Sequence, residues 1–144
     1  MIKINTKKYE IEEEIEVVDE NGVTLDKFTM QITPEELKEI EKIILNEEGI
    51  KLTKELEKLE KKNASEEEIE KKQKEYLELI EKCQQRFEEI IFKDRLESFK
   101  ENVGEYYFEE TISCAFDFFW NTFISKRMKR VDTMRSDLMK ITRK

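Results

Sequence analysis

Acidic and sulfur-containing side chains are the residues of this chain whose types could do chemistry. Glutamates occur in runs at 12–14 and 66–68, and cysteines stand at positions 83 and 114. Paired carboxylates act as acid–base catalysts or bind divalent cations, and thiolates act as nucleophiles or bind zinc. The chain has no histidine, which removes the usual general base, the Ser-His and Cys-His pairs and the Glu-x-x-His motif of di-iron bundles. We therefore interpret the glutamate runs as solvated faces and expect no enzymatic activity, no cofactor and no metal site.

The segment Asp19-Glu20-Asn21-Gly22 has residue types that also occur in calcium-binding loops. Its glycine stands at the fourth position rather than the sixth, and no glutamate stands at the twelfth. The three glycines of the chain are scattered, so the sequence also lacks a phosphate-binding loop and a dinucleotide fingerprint. The segment therefore predicts a turn and not a calcium site.

The two cysteines lie 31 positions apart in predicted helices. One possible bridge without a dense cysteine framework is weak evidence for a disulfide, so we expect reduced, buried thiols. The first residues lack the apolar core of a signal peptide. The longest stretch without Lys, Arg or Glu, residues 111–125, is shorter than the ~20 apolar residues of a membrane helix. These features predict a protein of the cytoplasm.

Residues 1–33 are predicted to form a small antiparallel hairpin or meander. Apolar side chains alternate with glutamates over residues 9–18, as in a strand with one buried face. Asn21-Gly22 is a strong hairpin signal, and residues 23–32 supply the returning strand. Ile2-Lys3-Ile4 is a candidate for a short third strand. Such a sheet needs helices to cover its apolar face.

Residues 34–103 are predicted to form a helical hairpin. Thr33-Pro34-Glu35-Glu36 combines an N-cap, a proline at the first helical position and the glutamate of a capping box. The apolar seam that follows is interrupted near Glu48-Gly49, where we expect a kink or break. Asn63-Ala64-Ser65 is the expected turn. The second helix has the most regular seam of the chain, with spacings of 7, 4, 3, 4 and 3 residues: Ile69, Tyr76, Ile80, Cys83, Phe87 and Ile90.

Residues 104–144 are predicted to form an aromatic helix and then a basic amphipathic helix, after a bend at Gly104. Eight aromatic residues lie between positions 105 and 124, so this helix is expected to be buried on more than one side. From Lys126 onward eight basic residues stand against two aspartates, a net charge of +6, and the remainder of the chain carries −14. The basic segment keeps apolar residues at helical spacing: Met128, Val131, Met134, Leu138 and Ile141. The three regions together predict one structural domain of class α+β, mainly α.

The basic segment has three interpretations. It binds nucleic acid phosphates, it lies on an anionic membrane, or it pairs with the acidic body of the same or a neighbouring chain. The overall charge of −8 opposes the first two. We therefore expect a protein partner and a homo-oligomer, with binding neither to nucleic acid nor to a membrane. The candidate partner-binding residues are Phe118, Phe119, Trp120, Phe123, Lys126, Arg127, Met128, Lys129, Arg130, Val131, Met134 and Leu138.

The order of these elements resembles that of a known group of phage proteins. A β-hairpin precedes a charged helical hairpin, the segment Cys83-Gln84-Gln85-Arg86-Phe87-Glu88-Glu89-Ile90-Ile91-Phe92, and a loop around Gly104. The last helical stretch contains Cys114-Ala115-Phe116-Asp117-Phe118-Phe119 and ends in Lys and Arg. This arrangement is similar to the small acidic tail-assembly proteins, often called tail assembly chaperones, that Gram-positive phages and prophages encode between their tail tube and tape-measure genes. The resemblance implies a non-enzymatic protein that coats the tape measure or delivers tube subunits.

A second function from another class stays open. Carboxylate-rich faces imitate the phosphate backbone of nucleic acid, so the alternative is a phage-encoded acidic inhibitor of a host nucleic-acid enzyme, of the DNA-mimic, anti-defence type. The two functions differ in the partner, which is a phage tail protein in the first and a host enzyme in the second. In both, the protein acts without catalysis in the cytoplasm of the bacterial host.

Overall fold

The computed structural model describes residues 1–3, 8–126 and 134. The described residues form an antiparallel pair of strands followed by helices, which confirms the predicted α+β, mainly α class. The elements in chain order are β1 (Ile11–Val18), β2 (Thr24–Ile32), α1 (Pro34–Leu45), α2 (Glu47–Lys61), α3 (Glu66–Phe92), a 3-10 turn (Lys93–Arg95), α4 (Leu96–Phe119) and a π-helical turn (Trp120–Ile124).

The hairpin turn between β1 and β2 is held by Asp19. Its carboxylate accepts hydrogen bonds from the backbone N–H groups of Asn21 and Val23, each at 2.9 Å. Gly22 has a φ of 81°, whereas Asn21 does not have a positive φ. The predicted turn is therefore present, but it is not the two-residue type in which both central residues have positive φ.

The two strands bury one face of the sheet. Ile11 pairs with Ile32 and Ile15 with Phe28, so apolar side chains from both strands lie on the same side. The register shifts at the Val17/Val18 step. Within the described part of the chain the sheet has two strands, with Ile2 and Lys3 outside it, and Ile4 of the candidate third strand lies beyond the described residues.

The helix boundaries follow the capping signals in the sequence. Thr33 and Glu36 form the predicted capping box at the start of α1, and Ser65 caps α3 after the predicted turn. The break predicted near Glu48-Gly49 occurs instead at Asn46, whose left-handed backbone (φ 52°, ψ 42°) separates α1 from α2. Asparagine adopts this conformation more readily than most residues other than glycine, whereas Gly49 stays helical and buried inside α2, where the Asn46 side chain occupies the space that a Cβ would need.

The helical hairpin of α2 and α3 buries few of its side chains. Gly49 is the one buried residue of α2, and the buried residues of α3 begin only at Phe87. In the predicted seam Ile69, Tyr76 and Cys83 are half-buried, and Ile80 is 38% exposed. The outer part of the hairpin is therefore stabilised by partial burial between two helices and not by a core of its own.

The core is a cluster of phenylalanine rings that joins three elements. Phe92 of α3 stacks on Phe99 of α4 with ring centroids 4.5 Å apart, and it also contacts Phe28 of β2 at 5.2 Å and Phe108 of α4 at 5.5 Å. These distances lie in or at the edge of the favourable range for aromatic pairs. Phe92 and Phe99 are almost completely buried, so the cluster fixes the sheet to both long helices.

Two unusual backbone conformations set the course of α4, one before the helix and one inside it. Lys93 has φ 53° and ψ −126° at the end of α3, a conformation that is uncommon for a residue with a side chain. Gly104 has φ 81° and ψ 165° inside α4 and divides it into two segments. The predicted bend at Gly104 is thus confirmed, and α4 runs across the boundary that we expected at residue 104.

Replacing Gly104 by alanine is expected to lower the free energy of unfolding by ~1–3 kcal/mol, because residues other than glycine rarely adopt this conformation. No heavy atom lies within 4 Å of the position that a Cβ would occupy, so the loss arises from the backbone and not from a clash. Chemical denaturation measures it. The control Glu101→Ala in the same helix should change stability by less than ~0.5 kcal/mol, and equal stability of the two variants would contradict the assignment.

Candidate functional site: an apolar groove between α1, α3 and α4

An apolar groove of about 310 Å³ lies where α1 and the α1–α2 junction meet α3 and α4. We call it the α1/α3/α4 groove. Its lining combines aliphatic and aromatic side chains with few polar groups: Ile43, Ile44, Asn46, Ile80, Cys83, Gln84, Phe87, Ile112 and Phe116.

The floor and the walls of the groove differ in exposure. Phe87 is 3% exposed, and its ring contacts Phe116 at 6.3 Å and the buried Phe119 at 6.1 Å. On the walls Ile80 is 38% exposed and Phe116 is 41% exposed. Large apolar side chains that stay exposed around a concave surface are typical of a docking site for another chain.

Two depressions extend the groove along α3. One leads toward the α2–α3 hairpin and shares Ile43, Asn46 and Cys83 with the groove. The other follows the line between α3 and α4 and shares Ile112 and Phe116 with it. The groove is therefore continuous with depressions on both sides, where α3 meets the α1–α2 junction and where it meets α4.

The rim of the extended recess is mainly acidic. Glu47 and Glu48 border the end near the hairpin together with Lys42 and Lys51. Glu109 borders the other end together with Glu88, whose side chain is largely buried. An acidic rim around an apolar groove favours an occupant that has an apolar face and basic flanks.

Two ion pairs hold α1 against α3 and so fix one wall of the groove. Arg86 donates to both carboxylate oxygens of Glu39 at 2.7 and 3.2 Å, and these hydrogen bonds lower the pKa of Glu39. Lys93 donates to both oxygens of Glu36 at 2.9 and 2.7 Å. Burial raises the pKa of Glu36, but the hydrogen bonds from Lys93 and Thr33 outweigh it and lower the pKa below its ordinary 4.5.

The partner-binding residues predicted from the sequence are divided between core and surface. Phe119 is 0% exposed, so it belongs to the core and not to a partner-binding surface. Phe118 and Phe123 are half-buried and contact each other at 6.2 Å, and Trp120 is 40% exposed. The aromatic helix is thus not buried all round.

Only two of the predicted basic-segment residues are described by the structure. Lys126 is exposed, and Met134 is helical and 64% exposed. The remaining predictions lie outside the described residues: Arg127, Met128, Lys129, Arg130, Val131 and Leu138.

Most residues of the groove were not predicted as a site. The sequence places Ile80, Cys83 and Phe87 in a helix seam whose excess of apolar residues predicts self-association, and it assigns Ile112 and Phe116 to no surface. One signal was present in the sequence, because Phe108, Ile112 and Phe116 repeat at four-residue spacing and form an apolar stripe on α4. The stripe alone does not indicate which helices stand opposite it.

The cysteines differ from the expectation of two buried thiols. Both are free; Cys83 is half-buried at the groove and Cys114 is exposed on α4. In the described part of the chain no three His, Cys, Asp or Glu side chains are grouped as a metal would require.

Comparisons with known proteins were made for the whole chain. No protein-family model matches it, and no curated protein or solved structure does. None of the helices in the described residues has the length and apolar character to cross a membrane. The resemblance to phage tail-assembly proteins therefore stays a prediction from the sequence.

The ion pairs of α1 predict a loss of stability in acid. The folded-state pKa values of Glu36 and Glu39 lie below the ordinary value of 4.5, so the contribution of these carboxylates is complete above that pH and is lost as the pH falls through the lowered values. The double variant Glu36→Gln/Glu39→Gln should be less stable at pH 7, and its stability should decline less below pH 4.5. Urea unfolding between pH 3 and 7 measures this.

A matched control for the acid experiment is Glu57→Gln, because Glu57 is exposed on α2. This variant should keep the wild-type stability at pH 7. If the double variant loses stability in acid as steeply as the wild type, the two pairs do not hold α1 in solution.

Proposed function

We propose that this chain is a non-enzymatic protein that binds an amphipathic helix of another protein in the α1/α3/α4 groove. The observation that carries the proposal is the exposure of Ile80 and Phe116 on the two sides of the buried Phe87. Each apolar side chain of this size that becomes fully buried contributes ~1.5–3 kcal/mol. Ile80 is 38% exposed and Phe116 is 41% exposed, so a partner that covers both walls gains less than half of that energy from each, without any change in the core.

A helix is the occupant that fits the shape and the chemistry of the groove. The groove lies between the helices α1, α3 and α4, so a helical partner can pack anchors at i, i+3, i+4 and i+7 against them. Exposed strand edges, which would bind an extended peptide, lie on the sheet and not beside the groove. The acidic rim adds selectivity for basic flanks on the partner helix.

We propose further that the partner is a phage tail protein, either the tail tube subunit or the tape-measure protein, and that the chain acts as a tail assembly chaperone in the host cytoplasm. This part of the proposal rests on the resemblance in sequence organisation. Physical properties of the chain support it, since 43% of its residues are charged and its net charge is −8. A highly charged body that covers an apolar helix keeps an aggregation-prone partner dispersed until assembly.

The alternative function as a nucleic-acid mimic has one structural observation in its favour. Glu12, Glu14 and Glu16 form an exposed acidic row on β1. However, Lys27 lies 3.9 Å from Glu14, and the Thr24 hydroxyl donates to Glu16 at 2.6 Å. Two of the three carboxylates thus have partners on β2, which weakens the imitation of a bare phosphate row.

Capture from cells that produce the cognate phage tests the proposal. The tagged full chain should retain a tail tube or tape-measure protein, identified by mass spectrometry. Ile80→Glu places a charge on the groove wall at a partly exposed position, so the fold should persist and the captured amount should fall at least ~10-fold, the equivalent of ~1.4 kcal/mol.

The matched control for the capture experiment is Val23→Glu, which adds the same charge at a 56% exposed valine next to the hairpin turn. This variant should capture the partner like the wild type. Equal capture of a host nucleic-acid enzyme by wild type and Ile80→Glu, without any tail protein, would reject the groove and support the alternative.

A further inference from the structure

We propose that, in the absence of the partner, the α1/α3/α4 groove is occupied by the basic segment, residues 126–144, of a second copy of this chain. The inference rests on the proposed function because both use the same groove. The inference names the occupant of the groove in the resting protein. It also implies that binding of the partner is regulated, since the partner must displace the segment of the second copy.

The chemistry of the basic segment matches the groove. Its net charge is +6, and the groove has a rim with more glutamates than lysines. The apolar stripe from Met128 to Ile141 would extend over ~20 Å as a helix, at 1.5 Å per residue. A segment with an apolar stripe and basic flanks is the occupant that an apolar groove with a mainly acidic rim favours.

The course of the chain after the groove indicates a second copy as the donor. Phe116 lines the groove, and the helical backbone continues from there to Lys126, which carries the chain ~15 Å past Phe116. Residues 127–144 contain no glycine, proline or asparagine, the residues that most often reverse a chain after a helix. The sequence therefore predicts a segment that continues away from the groove of its own copy.

The exposure of Met134 also supports binding of the basic segment to a second copy. This residue belongs to the apolar stripe of the basic segment, and it is 64% exposed within a single copy. One chain thus has both partly exposed groove walls, at Ile80 and Phe116, and an exposed residue of the stripe. If each copy donates its segment to the groove of the other, the contact is repeated by a two-fold axis and the assembly closes as a dimer.

Mixing two full-length variants tests this exchange. The groove variant, Ile80→Glu, keeps its segment, and the segment variant, Val131→Ser/Leu138→Ser, keeps its groove. Size exclusion with light scattering should show the wild type as a dimer of twice the 17.5 kDa chain mass and each variant alone as a monomer at the same micromolar concentration. An equimolar mixture should form dimers again, because one intact groove meets one intact segment.

A surface variant and circular dichroism serve as controls for the mixing experiment. Val23→Glu should remain a dimer, and circular dichroism should show the wild-type helix content in every variant. The inference would be overturned by a monomeric wild type, by variants that remain dimers alone, or by a mixture that stays monomeric. Capture of the partner by the wild-type chain is measured separately from dimer formation, so failure of the exchange and failure of the proposed function give different results.

Discussion

The packing of Phe92 against Phe28, Phe99 and Phe108 is the interaction on which the remaining structure depends. A two-stranded sheet is at best marginally stable by itself, and the outer α2–α3 hairpin has no buried core. One ring cluster therefore supplies the cohesion for the sheet and for both long helices. Because these rings lie at the end of α3, the fold concentrates its stability there and leaves the preceding turns of α3 only partly covered.

The groove is a consequence of that distribution. Phe87 lies five residues before Phe92, and its ring still contacts Phe119. Ile80 lies two helical turns before Phe87 and is 38% exposed. The ion pairs of Glu36 and Glu39 with Lys93 and Arg86 bring α1 alongside α3. Stability and binding are thereby assigned to different parts of the same helix, which allows groove substitutions to change binding without unfolding the protein.

The sequence allowed correct prediction of features that depend on local chemistry. The caps at Thr33 and Ser65 and the bend at Gly104 follow from hydrogen bonding and backbone preference within a few residues. The break at Asn46 precedes the position that the sequence predicts, near Glu48-Gly49, since the backbone preferences of both Asn46 and Gly49 permit a break. The groove could not be predicted, because an apolar stripe such as Ile112 and Phe116 indicates burial but not the helix that provides it.

The central claim is that the groove binds an amphipathic helix, which in the resting protein comes from a second copy. Isotope-filtered NMR on mixed samples tests it most directly, with one copy labelled at isoleucine methyl groups and the other at methionine methyl groups. The account predicts intermolecular NOEs from Ile80 and Ile112 to Met128 and Met134. Their absence from a sample shown to be dimeric, or NOEs to these methionines only within one copy, would contradict it.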